Sequence, residues 1–540
     1  MGPSPVDDAD GLVAAAGGPG APALARRGSR RLVVAAILLI LIVSAGLRLY
    51  RLGSPAEMFD EIYYAKDAKA ILDGRMDPKR DYPWEPGDVG SWAHPDAGKE
   101  AIAVGIFLFG DRPFGRRAPS AAAGLLLLAC VYPLARRLGL SQSWAMVALV
   151  LAASDLLGIA QSRIATLDVF IALWTAVCIL CALRYVQDGR RTSWLLLCGL
   201  AGGLALATKW SGLLALAAAA GVLVLGPRVA ALRPRTDEGR RDATVDGEPP
   251  KVGVGRVVRI TALLVLALVV LPAGVYLASY IPYFADGHGL SHFRELHSQM
   301  LHFNLTLSAP HAYASSAPTW IIDYRPVWYS SFVDKQREFF TVVAMGNPFL
   351  WWAGVLALVA APILCIWRRA TLPLVPALLV AVLYLPWFAA SRTSFLYYMT
   401  PVAPFLAILV AATAATLMAP QAASPATSRR TGMRRLGLAT AAAVVTALAW
   451  DAVGRTAAFA FWELPGRVSD AVAWSTASVA VAAGAFLVAA ALAAPRTRTA
   501  TIVIALGCIV GICVPFLPIV MNLGIPADRY YRLIWFRSWI

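Results

Sequence analysis

Apolar runs long enough to cross a bilayer recur along almost the whole chain, and this recurrence restricts the fold more than any other feature. The hydrocarbon core holds no water, so every backbone N–H and C=O there must be satisfied within its own segment. An apolar run of about 17–25 residues is therefore obliged to be a helix. Such runs lie near 33–47, 118–135, 143–160, 165–183, 194–208, 211–226, 260–282, 347–367, 371–389, 396–418, 436–450, 471–494 and 500–522. The expected fold is an all-α polytopic membrane protein with about 11–13 transmembrane helices. Composition agrees: 59% hydrophobic against 15% charged residues, with a mean hydropathy of +0.63, departs far from the balance of soluble domains.

The formal charge is +16, which in a soluble protein would point to nucleic acid. In a membrane chain Lys and Arg collect in cytoplasmic loops and set orientation. With the N-terminus cytoplasmic, one side receives Arg136-Arg137, Arg184/Arg190/Arg191, the block from Arg228 to Arg259, Arg368-Arg369, Arg429/Arg430/Arg434/Arg435 and Arg496/Arg498. The surplus then reports orientation, and no nucleic-acid partner is expected. Residues 1–32 read as a disordered cytoplasmic tail. The run at 33–47 leads into Leu47-Arg48-Leu49-Tyr50 rather than a small-residue cleavage site, so it is expected to stay as an anchor. The chain then divides into an N-terminal transmembrane module, 33–282, carrying an external loop at 48–117; a second external loop, 283–346; and a C-terminal transmembrane module, 347–540. Two external loops of this length are where function is expected. All seven cysteines lie in apolar runs and read as buried thiols.

Four groups of polar residues at the external helix ends could carry chemistry. Asp60-Glu61 opens a short amphipathic segment, Ile62 to Leu72. The pair either caps that helix or holds a carboxylate ready to take a proton from a hydroxyl. His94-Pro95-Asp96-Ala97-Gly98-Lys99 is a turn that would aim His94 and Lys99 at one place, or simply a turn. Arg163 and Asp168 at a bilayer boundary are costly unless paired, so they form either a structural pair or a site. Lys209 and Arg392 place single cations at external helix ends, suited to a phosphate at headgroup depth or to snorkelling towards lipid. The second loop adds His288, His292, His297, His302 and His311, but no tight ligand motif such as H-E-x-x-H. No metal or cofactor is expected.

In this order the motifs resemble those of the protein O-mannosyltransferases, membrane glycosyltransferases of the GT-C class. Asp60-Glu61 looks like the family's Asp-Glu pair, and His94-Pro95-x-x-Gly98-Lys99 like its His-Pro-Pro-Leu-Gly-Lys, with Asp96-Ala97 in place of Pro-Leu. Arg163 to Asp168 looks like its Arg-x-x-x-Leu-Asp element. Ala207-Thr208-Lys209-Trp210-Ser211-Gly212 is similar to its Lys-aromatic-x-Gly segment, and Arg392 to Tyr398 and Trp535 to Trp539 to pieces of its C-terminal region. The loop at 283–346 is too short for the lumenal β-trefoil module of eukaryotic members, so the actinobacterial type is the nearer likeness.

The resemblance implies a GT-C fold and a multi-pass enzyme of the plasma membrane, active on its extracytoplasmic face. It would transfer mannose, with inversion, from polyprenyl-phosphate-mannose to Ser or Thr hydroxyls of acceptor proteins near the translocon, surrounded by membrane lipids. In that scheme Asp60, or Glu61, is the base. Arg163, Lys209 and Arg392 bind donor phosphate, and His94, Lys99 and Asp168 hold the substrate-facing loop. Two alternatives remain at this point: a GT-C enzyme acting on a lipid or cell-wall glycan, and a lipid or solute transporter. No internal repeat of the transporter kind is visible.

Overall fold

The structure is a computed structural model that describes residues 21–74, 92–232, 254–390, 392–419 and 495–540. The expected helices at 436–450 and 471–494, the tail before residue 21 and residues 233–253 lie outside the described residues.

Each apolar run within the described part is helical. Among the described residues, six helices are long and apolar enough to span a membrane: Arg31–Leu49, Pro113–Arg137, Asp168–Gln187, Val254–Ala278, Pro348–Ile366 and Arg498–Met521. Five shorter apolar helices lie between them. The chain is thus a multi-pass membrane protein. The helices that matter below are α1 (Ala21–Leu49), α2 (Glu61–Leu72), α3 (Ala97–Phe109), α4 (Pro113–Arg137), α5 (Gln142–Ala153), α6 (Leu156–Gln161), α7 (Asp168–Gln187), α8 (Thr192–Thr208), α9 (Leu213–Val224) and α10 (Val254–Ala278).

The core is built around α7, which is 72% buried along its span, whereas α1 and α10 are each 11% buried and face lipid. Lipid tails supply no hydrophobic force between helices, so close packing depends on small residues. In α8 the sequence Gly199-Leu200-Ala201-Gly202-Gly203 meets this need. A Cβ at Gly203 would lie 2.7 Å from Val275 Cβ, and one at Gly199 would strike the Ala267 carbonyl of α10.

Two elements differ from the sequence expectation. The run 143–160 is not one helix: it breaks at Ser154-Asp155 into α5 and α6. The Asp155 carboxylate caps α6 through Gly158 N (3.1 Å) and accepts bonds from Asn347 N (3.1 Å) and Trp351 Nε1 (2.9 Å). Donors from a distant segment are thereby satisfied at the break, which periodicity alone does not reveal. Second, the mostly helical fold includes one small sheet. The segment 283–346 contains an antiparallel hairpin, β1 (Val327–Val333) and β2 (Glu338–Ala344), extended by β3 (Ile525–Pro526) in the order β1-β2-β3. The C-terminal tail folds back onto this hairpin. Trp328 Nε1 donates to Trp539 O (2.7 Å), Trp539 Nε1 to Asp323 O (2.7 Å), and Arg325 Nη1 to Ser538 O (3.0 Å).

Candidate active site

The first loop turns sharply before α2. Phe59 is held at φ +44°, a left-handed conformation rare for an aromatic residue and of the kind found where a site over-determines its backbone. Asp60 and Glu61 leave this turn towards different partners. Asp60 takes the N-cap position of α2, yet its side chain makes no capping hydrogen bond. Its carboxylate instead accepts a hydrogen bond from Tyr397 and lies in the fields of Lys209 and Asp168. Burial is the largest influence on it. Against the stabilising Lys209 cation and Tyr397 hydroxyl, burial still raises the Asp60 carboxyl from 3.8 to about 7. A base poised near neutrality suits proton abstraction from an alcohol.

Glu61 is engaged elsewhere. Its carboxylate is clasped by Arg117 from the first turn of α4, with Nε–Oε1 at 2.8 Å and Nη2–Oε2 at 2.7 Å, both side chains being wholly buried. Arg117 Nη1 also donates to Leu52 O (2.9 Å), tying the loop to the helix. Glu61 is therefore an anchor for the turn, and the two carboxylates of the pair have separate duties.

Lys209 sits where α8 ends and the chain runs extended before a short 3-10 turn, Trp210–Gly212. Its Nζ lies 3.1 Å from Asp168 Oδ1 and 3.4 Å from Oδ2, and 4.3 Å from the centre of the Tyr398 ring. Desolvated cation–π contacts of this sort are worth about 2 kcal/mol. Asp168, at the first turn of α7, thus pairs with Lys209 and not with Arg163.

Arg163 is drawn away from the place the sequence suggested. Its Nη1 donates to the carbonyls of Leu47 (2.9 Å), Arg48 (3.0 Å) and Tyr50 (2.9 Å), and its Nη2 to Met521 O (3.1 Å). Carbonyls at a helix C-terminus lack intrahelical donors. A guanidinium fills that need and clasps the end of α1 to the end of the last long helix. Lys99 is likewise a buried anchor: its Nζ meets Asp96 Oδ1 at 2.8 Å and Asp67 Oδ2 at 3.3 Å. The Asp96 that stands where the related motif has Pro therefore neutralises this buried cation. Gly98 explains its own place, because a Cβ there would come within 2.6 Å of Leu167 Cδ2 and 3.0 Å of Thr208 Cγ2. The turn thus nests directly against the junction that carries Asp168 and Lys209.

His94 joins the site. Burial, then the cations Lys209, Arg392 and Lys99, hold its imidazole well below the ordinary 6.5, so it is neutral. Arg392 donates from Nη1 to Asn304 Oδ1, and the Asn304 amide donates to Ala93 O (3.3 Å) and Met300 O (2.8 Å). Asn304, within a segment that reads Asn-Leu-Thr, is an internal bridge between the segments 48–117 and 283–346. Sequence reasoning had no signal for that role. Arg117 and Tyr397 were likewise not singled out, although a charge opening an apolar helix is a usable sign.

The second-loop histidines do not converge. His288 stacks on Tyr283 (4.3 Å), His297 Nε2 bonds Tyr276 Oη (2.7 Å), and His311 packs edge-on against Phe395 (5.0 Å). Among the described residues, no group of three or more His, Cys, Asp or Glu side chains is arranged to hold a metal ion.

Asp60, His94, Asp168, Lys209 and Arg392 thus form one cluster at the helix ends, with Glu61, Lys99 and Arg163 behind it as anchors. Beside it lies a small pocket lined by Asp168, Thr175, Ser211 and Tyr398 together with Ile171, Leu214, Leu383, Trp387 and Pro401. The arrangement offers a base, a facing set of cations and an apolar flank.

Comparison with known proteins gives a consistent picture. The family model for dolichyl-phosphate-mannose-protein mannosyltransferase matches residues 94–286, and that for the C-terminal four TMM region of protein-O-mannosyltransferase matches 289–453. The chain is 28% identical over 484 residues to the polyprenol-phosphate-mannose–protein mannosyltransferase of Mycolicibacterium smegmatis, covering 76% of this chain and 87% of that protein. It is 28% identical over 435 residues to the Mycobacterium tuberculosis protein of the same name, covering 68% and 78%. In fold it is similar to the S. cerevisiae protein O-mannosyltransferase Pmt1-Pmt2 complex bound to the sugar donor, at a TM-score of 0.64 and 13% identity over 94% of this chain and 92% of that one. It is also similar to the arabinosyltransferase EmbB of Mycobacterium smegmatis, at a TM-score of 0.51 and 14% identity over 89% and 41%.

Proposed function

This chain belongs to the protein O-mannosyltransferase family, and from that premise we propose that it transfers mannose from polyprenyl-phosphate-mannose to Ser or Thr hydroxyls of membrane or secreted proteins. The observation that carries the mechanism is the Asp60 carboxyl: uncapped, hydrogen-bonded to Tyr397, poised at about 7 and set beside Lys209.

The acceptor oxygen attacks the anomeric carbon as the bond to phosphate breaks, giving inversion. The hydroxyl proton passes to Asp60, and the bonding pair leaves with polyprenyl phosphate. Phosphate is a weak base, so it leaves without a proton when positive charge faces it. Lys209 and Arg392 supply that charge. The neutral His94 adds hydrogen-bonding capacity without competing for the proton. Asp168 holds Lys209 in place. Arg163, Lys99 and Glu61 act through the scaffold. The one-sided distribution of basic clusters supports placing the site on the extracytoplasmic face. There, chains emerging from a translocon would present unfolded Ser and Thr.

The test is mannose transfer by purified protein in lipid vesicles, with labelled polyprenyl-phosphate-mannose and either a Ser/Thr peptide or a glycolipid as acceptor. Label on the peptide is the expected result. Label confined to the glycolipid would overturn the acceptor assignment.

A further inference from the structure

Tyr329 lies deep in the molecule, and three consecutive residues of β1, Val327, Trp328 and Tyr329, are all buried. A regular strand alternates its faces, so this run needs a break in register. The break is present: pairing with β2 shifts between Trp328 and Ser330, leaving Tyr329 as the extra residue of a bulge. Bulges beside active sites re-aim side chains. Here the ring turns inward to pack on Phe59 (5.1 Å) and Tyr397 (6.1 Å), the neighbour and the hydrogen-bond partner of Asp60.

The Tyr329 hydroxyl is also directed. Thr166 Oγ1 donates to Gln161 Oε1 (2.9 Å), and Gln161 Nε2 donates to Tyr329 Oη (3.0 Å). The amide is thus oriented by Thr166 and fills the acceptor side of the phenol. The phenolic proton must point elsewhere, and the carboxylates that bear on this group are Asp168 and Asp60. None of these three residues stands out in the sequence as part of the chemistry.

We infer that Tyr329 is a substrate-contacting donor: its hydroxyl hydrogen-bonds the oxygen of the incoming Ser or Thr and holds it beside Asp60, while Gln161 and Thr166 are positioning residues that fix the direction of that bond. The inference rests on the proton-acceptor role proposed for Asp60. In the transfer step the acceptor oxygen forms its bond to the anomeric carbon, its proton goes to Asp60, and the phosphate oxygen takes the departing pair. Tyr329 neither gains nor loses a proton; it selects the lone pair that attacks.

The experiment measures kcat/KM for the acceptor peptide and KM for polyprenyl-phosphate-mannose in wild type, Tyr329→Phe and Thr166→Val, with thermal unfolding as a check on folding. Tyr329→Phe keeps the ring and should lower peptide kcat/KM about tenfold, the scale of one lost hydrogen bond, with donor KM unchanged. Thr166→Val lies behind the site, but it frees the Gln161 amide to accept from the phenol, so it should lower the same parameter in a protein that unfolds normally. Tyr329→Phe at the wild-type rate, or a rise in donor KM in place of the peptide effect, would overturn the inference while leaving the functional reading intact. A wild-type protein inert towards peptide would overturn that reading and this inference with it.

Discussion

The separate duties of Asp60 and Glu61 lead to a prediction in which two adjacent, chemically similar substitutions have opposite consequences. Burial raises the Asp60 carboxyl from 3.8 to about 7. At about 1.4 kcal/mol per pH unit, ionising it in the folded protein costs up to about 4 kcal/mol relative to the unfolded chain. The folded state holds this proton more tightly, so the penalty is absent below about pH 4, grows through the interval to about 7 and is complete above it. Asp60→Asn removes the base, which should slow transfer by about 10²–10⁴-fold, and it also removes that penalty. The variant should therefore unfold at a higher temperature than wild type at pH 8 and converge with it near pH 4. Glu61→Gln does the reverse. It leaves Arg117 buried with its charge uncompensated, and breaking a buried pair in this way costs about 3–5 kcal/mol. Its loss of activity should track its loss of folded protein. The assay pairs labelled mannose transfer with thermal unfolding in the same detergent, at pH 5 and pH 8. Wild-type transfer by Asp60→Asn, or a Glu61→Gln protein that is inactive yet as stable as wild type, would refute the division of roles.

Two further outcomes are expected. The transfer rate should fall as pH drops through about 7, where Asp60 takes up its proton, and Lys209→Met should move this acid limb to higher pH because the cation favours the carboxylate; an unmoved limb would sever Lys209 from the base. Arg163→Ala should destabilise the protein by about 2–5 kcal/mol through its lost carbonyl contacts and reduce donor and peptide use equally. A selective rise in donor KM at unchanged stability would instead return Arg163 to the phosphate.

What was legible in the sequence depended on the range of the physics involved. Asp168, Lys209 and Arg392 stand out because a polar group at a helix end in an apolar chain is costly, a cost that can be seen one residue at a time, whereas His94 stands out only as part of a turn motif. The fold places Lys209 beside Asp168 and Arg392 in the field that acts on His94, while Lys99 and Arg163 carry the same signal for a different reason. Lys99 is neutralised by Asp96 and Asp67 within its own loop, and Arg163 joins the carbonyls of Leu47, Arg48 and Tyr50 to that of Met521. The hairpin is not legible in the sequence because the bulge at Tyr329 disrupts the strand alternation that would mark it.

By itself the sequence determined the membrane class, the placement of the helices across the described chain and the set of polar residues to be explained. The bilayer acts on each segment locally, forcing an apolar run to close its own hydrogen bonds whatever its neighbours are. Only the tertiary structure decided which charge faces substrate and which is an anchor. A carboxylate's role follows from its partners: Arg117, on another helix, for Glu61, and Lys209 and Tyr397, far along the chain, for Asp60. Two adjacent letters of the sequence thus acquire opposite roles through contacts that only folding brings together.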